Sequence, residues 1–280
     1  MQPRSSSFIV RRPLPRQRGV ALFVVIVFVL LSMLLALWAS RTSMFNELVV
    51  GNDADYQRAF EAAQAMLQDA ELDIRGERAD GFACDAGDVS ALPQAVCRRG
   101  ATAQIPLATE EVGPLLAELE SQTTRCLNGL CFKRSGRQDF WNYTSTTSPV
   151  PTNLQSGEVT LDSLTVANVG ARYGEYTGAA HAVDTAAPVN PLLQWDGSNA
   201  ARAWYWIEVL PYDQSSQMSS VVVGTGANLL PLNMVPNVVY RITALAQGRK
   251  TRPPKSGEVD PQPVTVVVLQ QTYARQKRKD

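Results

Sequence analysis

Hydrophobic positions divide the chain before anything else does. From Val20 to Ala39, twenty residues follow one another without a charge. A helix of about 20 apolar residues is long enough to cross the ~30 Å hydrocarbon core of a bilayer. Beyond Ser40 the apolar residues thin to a stripe. Phe45, Leu48, Asn52, Tyr56, Ala59, Ala63, Met66, Ala70 and Ile74 recur at steps of three or four, which puts them on one helical face, and Phe60 and Leu67 widen it. Glu61, Gln64, Gln68, Glu71 and Arg75 run along the other side. No proline occurs from Val20 to Arg75, Gly51 is one weak point worth about 1 kcal/mol, and Gly76 supplies a stop. The spacing predicts one helix over 20–75, roughly 84 Å long at about 1.5 Å per residue. It is apolar all round over 20–39 and amphipathic over 40–75.

The period changes further on. "ARAWYWIEVL" (201–210), "NVVYRITALAQG" (237–248) and "PVTVVVLQQTYAR" (263–275) are rich in β-branched and aromatic residues and predict three strands of an antiparallel meander. A sheet with one apolar face would pack on Tyr56, Phe60, Ala63, Leu67, Ala70 and Ile74, giving an α+β fold with a long helix docked on a sheet. Trp204 and Trp206 read as core or sheet-face residues rather than a ligand platform. The stretch 142–170 is rich in Ser, Thr and Asn and low in charge, and it reads as part of a long polar surface insert over 136–200.

Cys126 and Cys131 bracket Leu127-Asn128-Gly129-Leu130, and Asn-Gly is the favoured centre of a two-residue type I′ hairpin. Such a turn sets the cysteines opposite each other in a non-hydrogen-bonded pair, with Cα atoms about 4.5 Å apart, near the short end of disulfide range. Cys84 and Cys97 can close a second loop. Four cysteines allow three connectivities, of which 84–97 with 126–131 is favoured; a zinc site is the rival, although the spacings are not those of a finger or ribbon.

Charge then orients the chain. Five of the 26 basic residues (Arg4, Arg11, Arg12, Arg16 and Arg18) precede Gly19, where there is no acid, so 21 remain against 26 acidic residues beyond it. The arginine cluster should stay in the cytoplasm and the bulk of the chain should lie on the other side of the membrane, with Trp38 at the far interface. The acidic remainder carries no nucleic-acid footprint. A cleaved signal peptide has a shorter apolar run, and Leu37 with Ala39 gives only a faint cleavage pattern; an uncleaved anchor is the other simple reading. No catalytic residues, cofactor or metal ligands stand out: the single His181 lies in "GAAHAVD", Gly224-Thr225-Gly226 lacks a following lysine, and no carboxylate pair is singled out. Asn142-Tyr143-Thr144 fits a glycosylation acceptor, and "ARQKRKD" reads as a solvated tail.

"RQRGVAL" followed by the apolar run, and then "FNELVVGNDADYQRAFEAAQAMLQDAE", resembles the start of the PilX family of type IV pilus minor pilins. The likeness is dense over 16–75 and returns in "CLNGLC", "YRITALAQG" and "VTVVVLQQTYAR". It implies a type IV pilin-like fold and a prepilin: a leader over 1–19, cleavage by a membrane peptidase between Gly19 and Val20 with methylation of the new N-terminus, a helix over 20–75, and a head over 76–280 in the periplasm and later on the pilus. Partners implied are other minor and major pilins, the prepilin peptidase, the inner membrane and the pilus-tip adhesin, with adhesion and twitching motility downstream. Val24, Trp38, Phe45 and Leu48 would lie on the assembly helix. Major pilins usually carry glutamate at the fifth mature position; Val24 stands there, which suits a subunit at the tip or in few copies, since a carboxylate without a partner is costly in lipid. A type II secretion minor pseudopilin and a membrane-anchored periplasmic protein of unrelated function are the alternatives.

Overall fold

A computed structural model describes residues 20–84, 94–101, 103–106, 109–134, 140–142, 158–179, 190–195, 201–211, 238–254 and 261–275. The described elements are α1 (Val20–Arg75), α2 (Thr109–Ser121), β1 (Cys126–Leu127), β2 (Leu130–Cys131), α3 (Leu161–Leu164), β3 (Ala203–Pro211), β4 (Val238–Gln247), β5 (Thr251–Arg252), β6 (Gln262–Pro263) and β7 (Val266–Ala274). The chain divides after Asn52 into two units.

The first unit is the apolar part of α1. Among the described residues nothing covers its side chains: Leu22, Phe23, Phe28 and Leu35 are each about two-thirds exposed. Two hydroxyls in this stretch are satisfied within the helix, Ser32 Oγ donating to the Phe28 carbonyl at 2.7 Å and Thr42 Oγ1 to the Trp38 carbonyl at 2.9 Å.

In the second unit (residues 53–280) the end of α1 lies on a five-stranded sheet of order β1-β2-β3-β4-β7. β3, β4 and β7 pair antiparallel, with Tyr205 opposite Ala244 and Ala244 opposite Leu269. Alternation along β3 sends Tyr205, Ile207 and Val209 to the α1 side. There they meet Ala59, Ala62, Ala63, Met66, Ala70 and Ile74, together with Val112, Leu115 and Leu119 of α2. Burying side chains the size of Met66 and Ile74 contributes about 1.5–3 kcal/mol each. The helix ends in a Schellman motif: Gly76 N–H donates to the Asp73 carbonyl at 3.1 Å, and Glu77 N–H to the Leu72 carbonyl at 2.9 Å.

Two features go beyond the expected meander. The β1–β2 hairpin joins the sheet, and β2 pairs parallel to β3, with Leu130 opposite Ile207. A parallel pair needs a long crossover, which the chain between Cys131 and Ala203 provides. The sheet also buries both faces rather than one. Its far side carries a second core of Cys126, Cys131, Phe140, Leu161, Leu164, Trp204, Trp206 and Leu245. Phe140 meets Trp206 edge-on with ring centroids 5.1 Å apart, and Trp206 Nε1 donates to the Leu164 carbonyl at 3.1 Å. The described parts of the polar insert therefore serve both cores: Phe140, Leu161 and Leu164 cover the far face of the sheet, while Ala171, Tyr176, Leu192 and Leu193 join the core on the α1 side.

Candidate functional site

The apolar helix of the first unit is one candidate surface. Val24 is 42% exposed, Leu48 59%, Phe45 67% and Trp38 71%. This is one helix long and apolar enough to cross a membrane. No charged side chain interrupts it before Arg41. Such a surface gains from lipid or from other apolar helices and has no polar group with which to do chemistry.

In the second unit the packing face of α1 is rotated from the stripe read in the sequence. Tyr56, expected against the sheet, is 48% exposed and stacks on the half-buried Phe60, whereas neighbouring Asp55 is 2% exposed. Leu67 is half-buried at the edge of the core; Ala63, Ala70 and Ile74 lie within it. The rotation brings three aspartates inward at helical spacing, Asp55, Asp69 and Asp73, and each is held by a segment remote in sequence. Arg249 N–H donates to Asp55 Oδ1 at 2.9 Å. Gly174 N–H donates to Asp69 Oδ2 at 2.8 Å, and Thr177 Oγ1 donates to Asp69 Oδ1. Asp73 takes a fork from Arg98, Nε to Oδ1 at 2.8 Å and Nη2 to Oδ2 at 2.6 Å, and the Tyr205 hydroxyl adds a bond to Oδ2 at 2.9 Å.

Arg98 is buried and fully engaged. Nη1 donates to the Asn128 carbonyl at 2.9 Å, and the guanidinium lies 3.9 Å from the centre of the Tyr176 ring. Burial works against its charge, but Asp73 outweighs burial and raises its pKa. Burial, reinforced by Asp73, also pushes the Tyr205 hydroxyl well above its ordinary value.

Asp69 is the titratable exception. Burial pushes its carboxyl up to about 7, against the Thr177 and Gly174 hydrogen bonds and with help from Asp73 and Glu175. The folded chain therefore holds a proton that the unfolded chain releases. This group's contribution is present in full below about pH 4 and is lost as pH rises through about 7. Asp69→Asn keeps an oxygen for Gly174 N–H and cannot ionise. Urea unfolding of the full chain in detergent should show the variant less pH-dependent than the parent between pH 4 and 8, by roughly 3 kcal/mol, and more stable at pH 8. Equal slopes would remove Asp69 from the account.

A second charged cluster lies on the far face of the sheet. Glu208 is buried and accepts from Arg241, Nε to Oε2 at 2.6 Å and Nη2 to Oε1 at 2.7 Å, and from Arg134 N–H at 2.9 Å. Arg134 stacks 3.6 Å from the centre of the Phe140 ring. Burial lowers its pKa to about 10, with Glu208 opposing and Arg241 adding to the fall. Beside the second core a half-open cavity of about 450 Å³ is lined by Trp141, Asn142, Leu161, Asp162, Gln247 and Val268 among others. Neither cluster sets a nucleophile beside a base.

The cysteines pair as Cys84–Cys97 and Cys126–Cys131, with Cα atoms 5.5 and 4.1 Å apart. The second pair closes the hairpin whose turn is Asn128-Gly129, with φ of 52° and 79°, as a type I′ turn requires. Among the described residues no group of three or more His, Cys, Asp or Glu side chains is placed to hold a metal ion. Gly19 and the rest of the leader, His181, Gly224–Gly226, Tyr143-Thr144 of the glycosylation pattern and the tail over 276–280 lie outside the described residues.

The inward aspartates, Arg98 and Glu208 were not singled out from the sequence. One signal was available for two of the aspartates: Asp69 and Asp73 stand four apart among Met66, Ala70 and Ile74, and aspartate is a poor residue for a helix interior.

Two family profiles match the chain. One, described as PilX N-terminal, covers residues 18–68. The other, described as type IV pilus assembly protein PilX C-term, covers residues 127–275. No curated protein and no solved structure matches. The first match takes in most of the apolar and docking parts of α1, and the second begins at Leu127, inside the disulfide-closed hairpin, and takes in β2, β3, β4 and β7. With the second match alone spanning more than half of the sequence, the chain belongs to the PilX family of type IV pilus assembly proteins.

Proposed function

We propose that the chain is a minor pilin, made as a prepilin, cut between Gly19 and Val20, and used to prime the pilus at or near its tip. The observation that carries this reading is the apolar surface of α1 from Val20 to Ala39, exposed among the described residues. In the membrane, lipid covers it; in a filament, the helices of other minor and major pilins take the place of lipid, and close packing replaces lipid contacts at little cost. The leader over 1–19 stays on the cytoplasmic face and is removed by the prepilin peptidase. The head over 76–280 faces the periplasm and then the outside of the cell, where it meets other minor pilins and the tip adhesin. Adhesion and twitching motility follow from the filament rather than from chemistry in the head.

Val24 supports a low-copy place. A glutamate at the fifth mature position needs a cationic partner on a neighbouring helix, and valine makes no such demand. A type II secretion pseudopilin would use the same helix; the PilX C-terminal match favours the pilus.

The test is mass spectrometry of sheared, purified filaments. The expected result is this chain at far below the copy number of the major pilin, beginning at an N-methylated Val20. A chain found only in the membrane fraction with Met1 intact, or cut beyond Ala39, would rule out the proposal.

A further inference from the structure

The end of α1 is held by three short segments that meet at one place. Residues 76–84 fold back on the helix end: Cys84 N–H donates to the Gly76 carbonyl at 2.8 Å, and Glu77 bridges to Ala83. Ala79 N–H donates to the Thr177 carbonyl at 3.0 Å. The loop 172–178 also takes Asp69, through Gly174 N–H and the Thr177 hydroxyl. The turn Val96–Arg98 completes the group, with Cys97 N–H donating to the Tyr176 carbonyl at 2.7 Å.

Within that turn Cys97 and Arg98 both have left-handed backbone, with φ of 59° and 52°. Side chains larger than glycine adopt this conformation only under restraint, and two in succession need strong restraint. Two restraints are visible. One is the Cys84–Cys97 bond, which ties this turn to the segment leaving α1. The other is the Arg98 guanidinium, gripped by Asp73, the Asn128 carbonyl and the Tyr176 ring. They act on adjacent residues, so each holds the backbone that the other needs.

We infer that Cys84–Cys97 is a redox latch: its oxidation seats Arg98 on Asp73 and locks the last turns of α1 to the 172–178 loop, while the sheet forms without it. The step is thiol–disulfide exchange with an external disulfide, that of a protein oxidant or of an oxidised small thiol. The Cys84 and Cys97 thiols lose two electrons and two protons and join, and the incoming disulfide is reduced to two thiols. The Cys126–Cys131 bond lies in the hairpin and the second core, and it borders the latch only through the Asn128 carbonyl that Arg98 holds. The inference concerns the order in which the head closes and stands whether or not the chain enters a filament.

Amide hydrogen exchange on the full chain in detergent tests it, comparing the parent, Cys84→Ser/Cys97→Ser, and Cys126→Ser/Cys131→Ser as the control pair. Opening the first pair should speed exchange in 94–101 and 172–178 at least tenfold and leave β4 unchanged. The control pair, which reaches Arg98 only through the Asn128 carbonyl, should speed exchange in 172–178 less than threefold. A second readout is non-additivity: Arg98→Ala should speed exchange in 172–178 at least tenfold in the parent and less than threefold once Cys84 and Cys97 are serine. Three results would overturn the latch: unchanged exchange in 172–178 without the first bond, loss of β4 protection along with it, or an equal Arg98→Ala effect in both backgrounds. If the serine pair yields no folded protein, the latch is likewise overturned, because the bond would then be needed for the sheet itself.

Discussion

Arg98→Ala is expected to destabilise the head by about 3–5 kcal/mol, the range for removing one partner of a buried ion pair. The reason lies in what remains. Asp73 has a side chain only 3% exposed, and it would keep the Tyr205 hydroxyl as its strong donor in place of a fork and a hydroxyl together. A buried carboxylate deprived of its counter-charge costs far more than the lost hydrogen bonds alone. The Tyr176 ring and the Asn128 carbonyl lose their partner in the same step. For a unit of this size the midpoint of thermal unfolding should fall by roughly 10 °C. Arg98→Lys should lie between the two, since one ammonium can neutralise Asp73 but cannot reach both carboxylate oxygens and the Asn128 carbonyl in one plane. Replacing the pair together, Arg98→Met with Asp73→Leu and Tyr205→Phe, should recover much of the loss, because it leaves no charge buried. A loss below about 1 kcal/mol for Arg98→Ala would mean that water reaches Asp73 and that the pair is not a buried one.

That cluster also shows where sequence reading stops. The long helix is legible because its evidence is local: an unbroken apolar run, then apolar residues at steps of three and four, then a glycine. The same holds for the hairpin, where Asn128-Gly129 dictates the turn and the turn sets Cys126 opposite Cys131. β3, β4 and β7 announce themselves through β-branched and aromatic residues. The face that α1 presents to the sheet is less legible. A stripe drawn through apolar residues counts aspartate as outward, so it passes through Tyr56 and Phe60 and misses Asp55, Asp69 and Asp73. Those three point inward because loops more than a hundred residues away bring donors to Asp69, and a loop nearly two hundred away brings one to Asp55, a pairing no local pattern records. α2 is hidden for a related reason. Val112, Leu115 and Leu119 have helical spacing, but Gly113 and Pro114 interrupt it. The parallel junction of β2 with β3 depends on a crossover whose few anchors, Phe140, Leu161 and Leu164, are scattered among hydroxyls and amides.

Gly248→Ala is expected to cost the head about 3 kcal/mol, the upper part of the range for overpacking a filled site. Gly248 closes the "YRITALAQG" stretch at the end of β4 and sits against α1. A Cβ placed there would lie 2.1 Å from Asp55 Oδ2, 2.8 Å from its Cγ and 2.9 Å from Thr265 Cβ. None of these neighbours can yield cheaply. Asp55 is fixed by Arg249 N–H, and Gly248 N–H donates to the Thr265 carbonyl at 2.8 Å, so the backbone on that side is tied to the strand leading into β7. Arg202 Nη1 holds the Gly248 carbonyl at 2.9 Å from the other direction. Any relief has to come from moving α1 off the sheet at Asp55, where the docked part of the helix begins. Among the described residues Asp55 Oδ2 has no hydrogen-bond partner, so shortening this side chain removes the clash and loses only the bond from Arg249. Asp55→Ala should therefore cost about 1–2 kcal/mol alone and rescue most of the Gly248→Ala defect, giving a coupling of roughly 2 kcal/mol in a double-mutant cycle by urea unfolding. Additive losses would mean that Thr265, not Asp55, is what a side chain at 248 strikes. The close approach of helix and strand would then have to be explained from the β7 side.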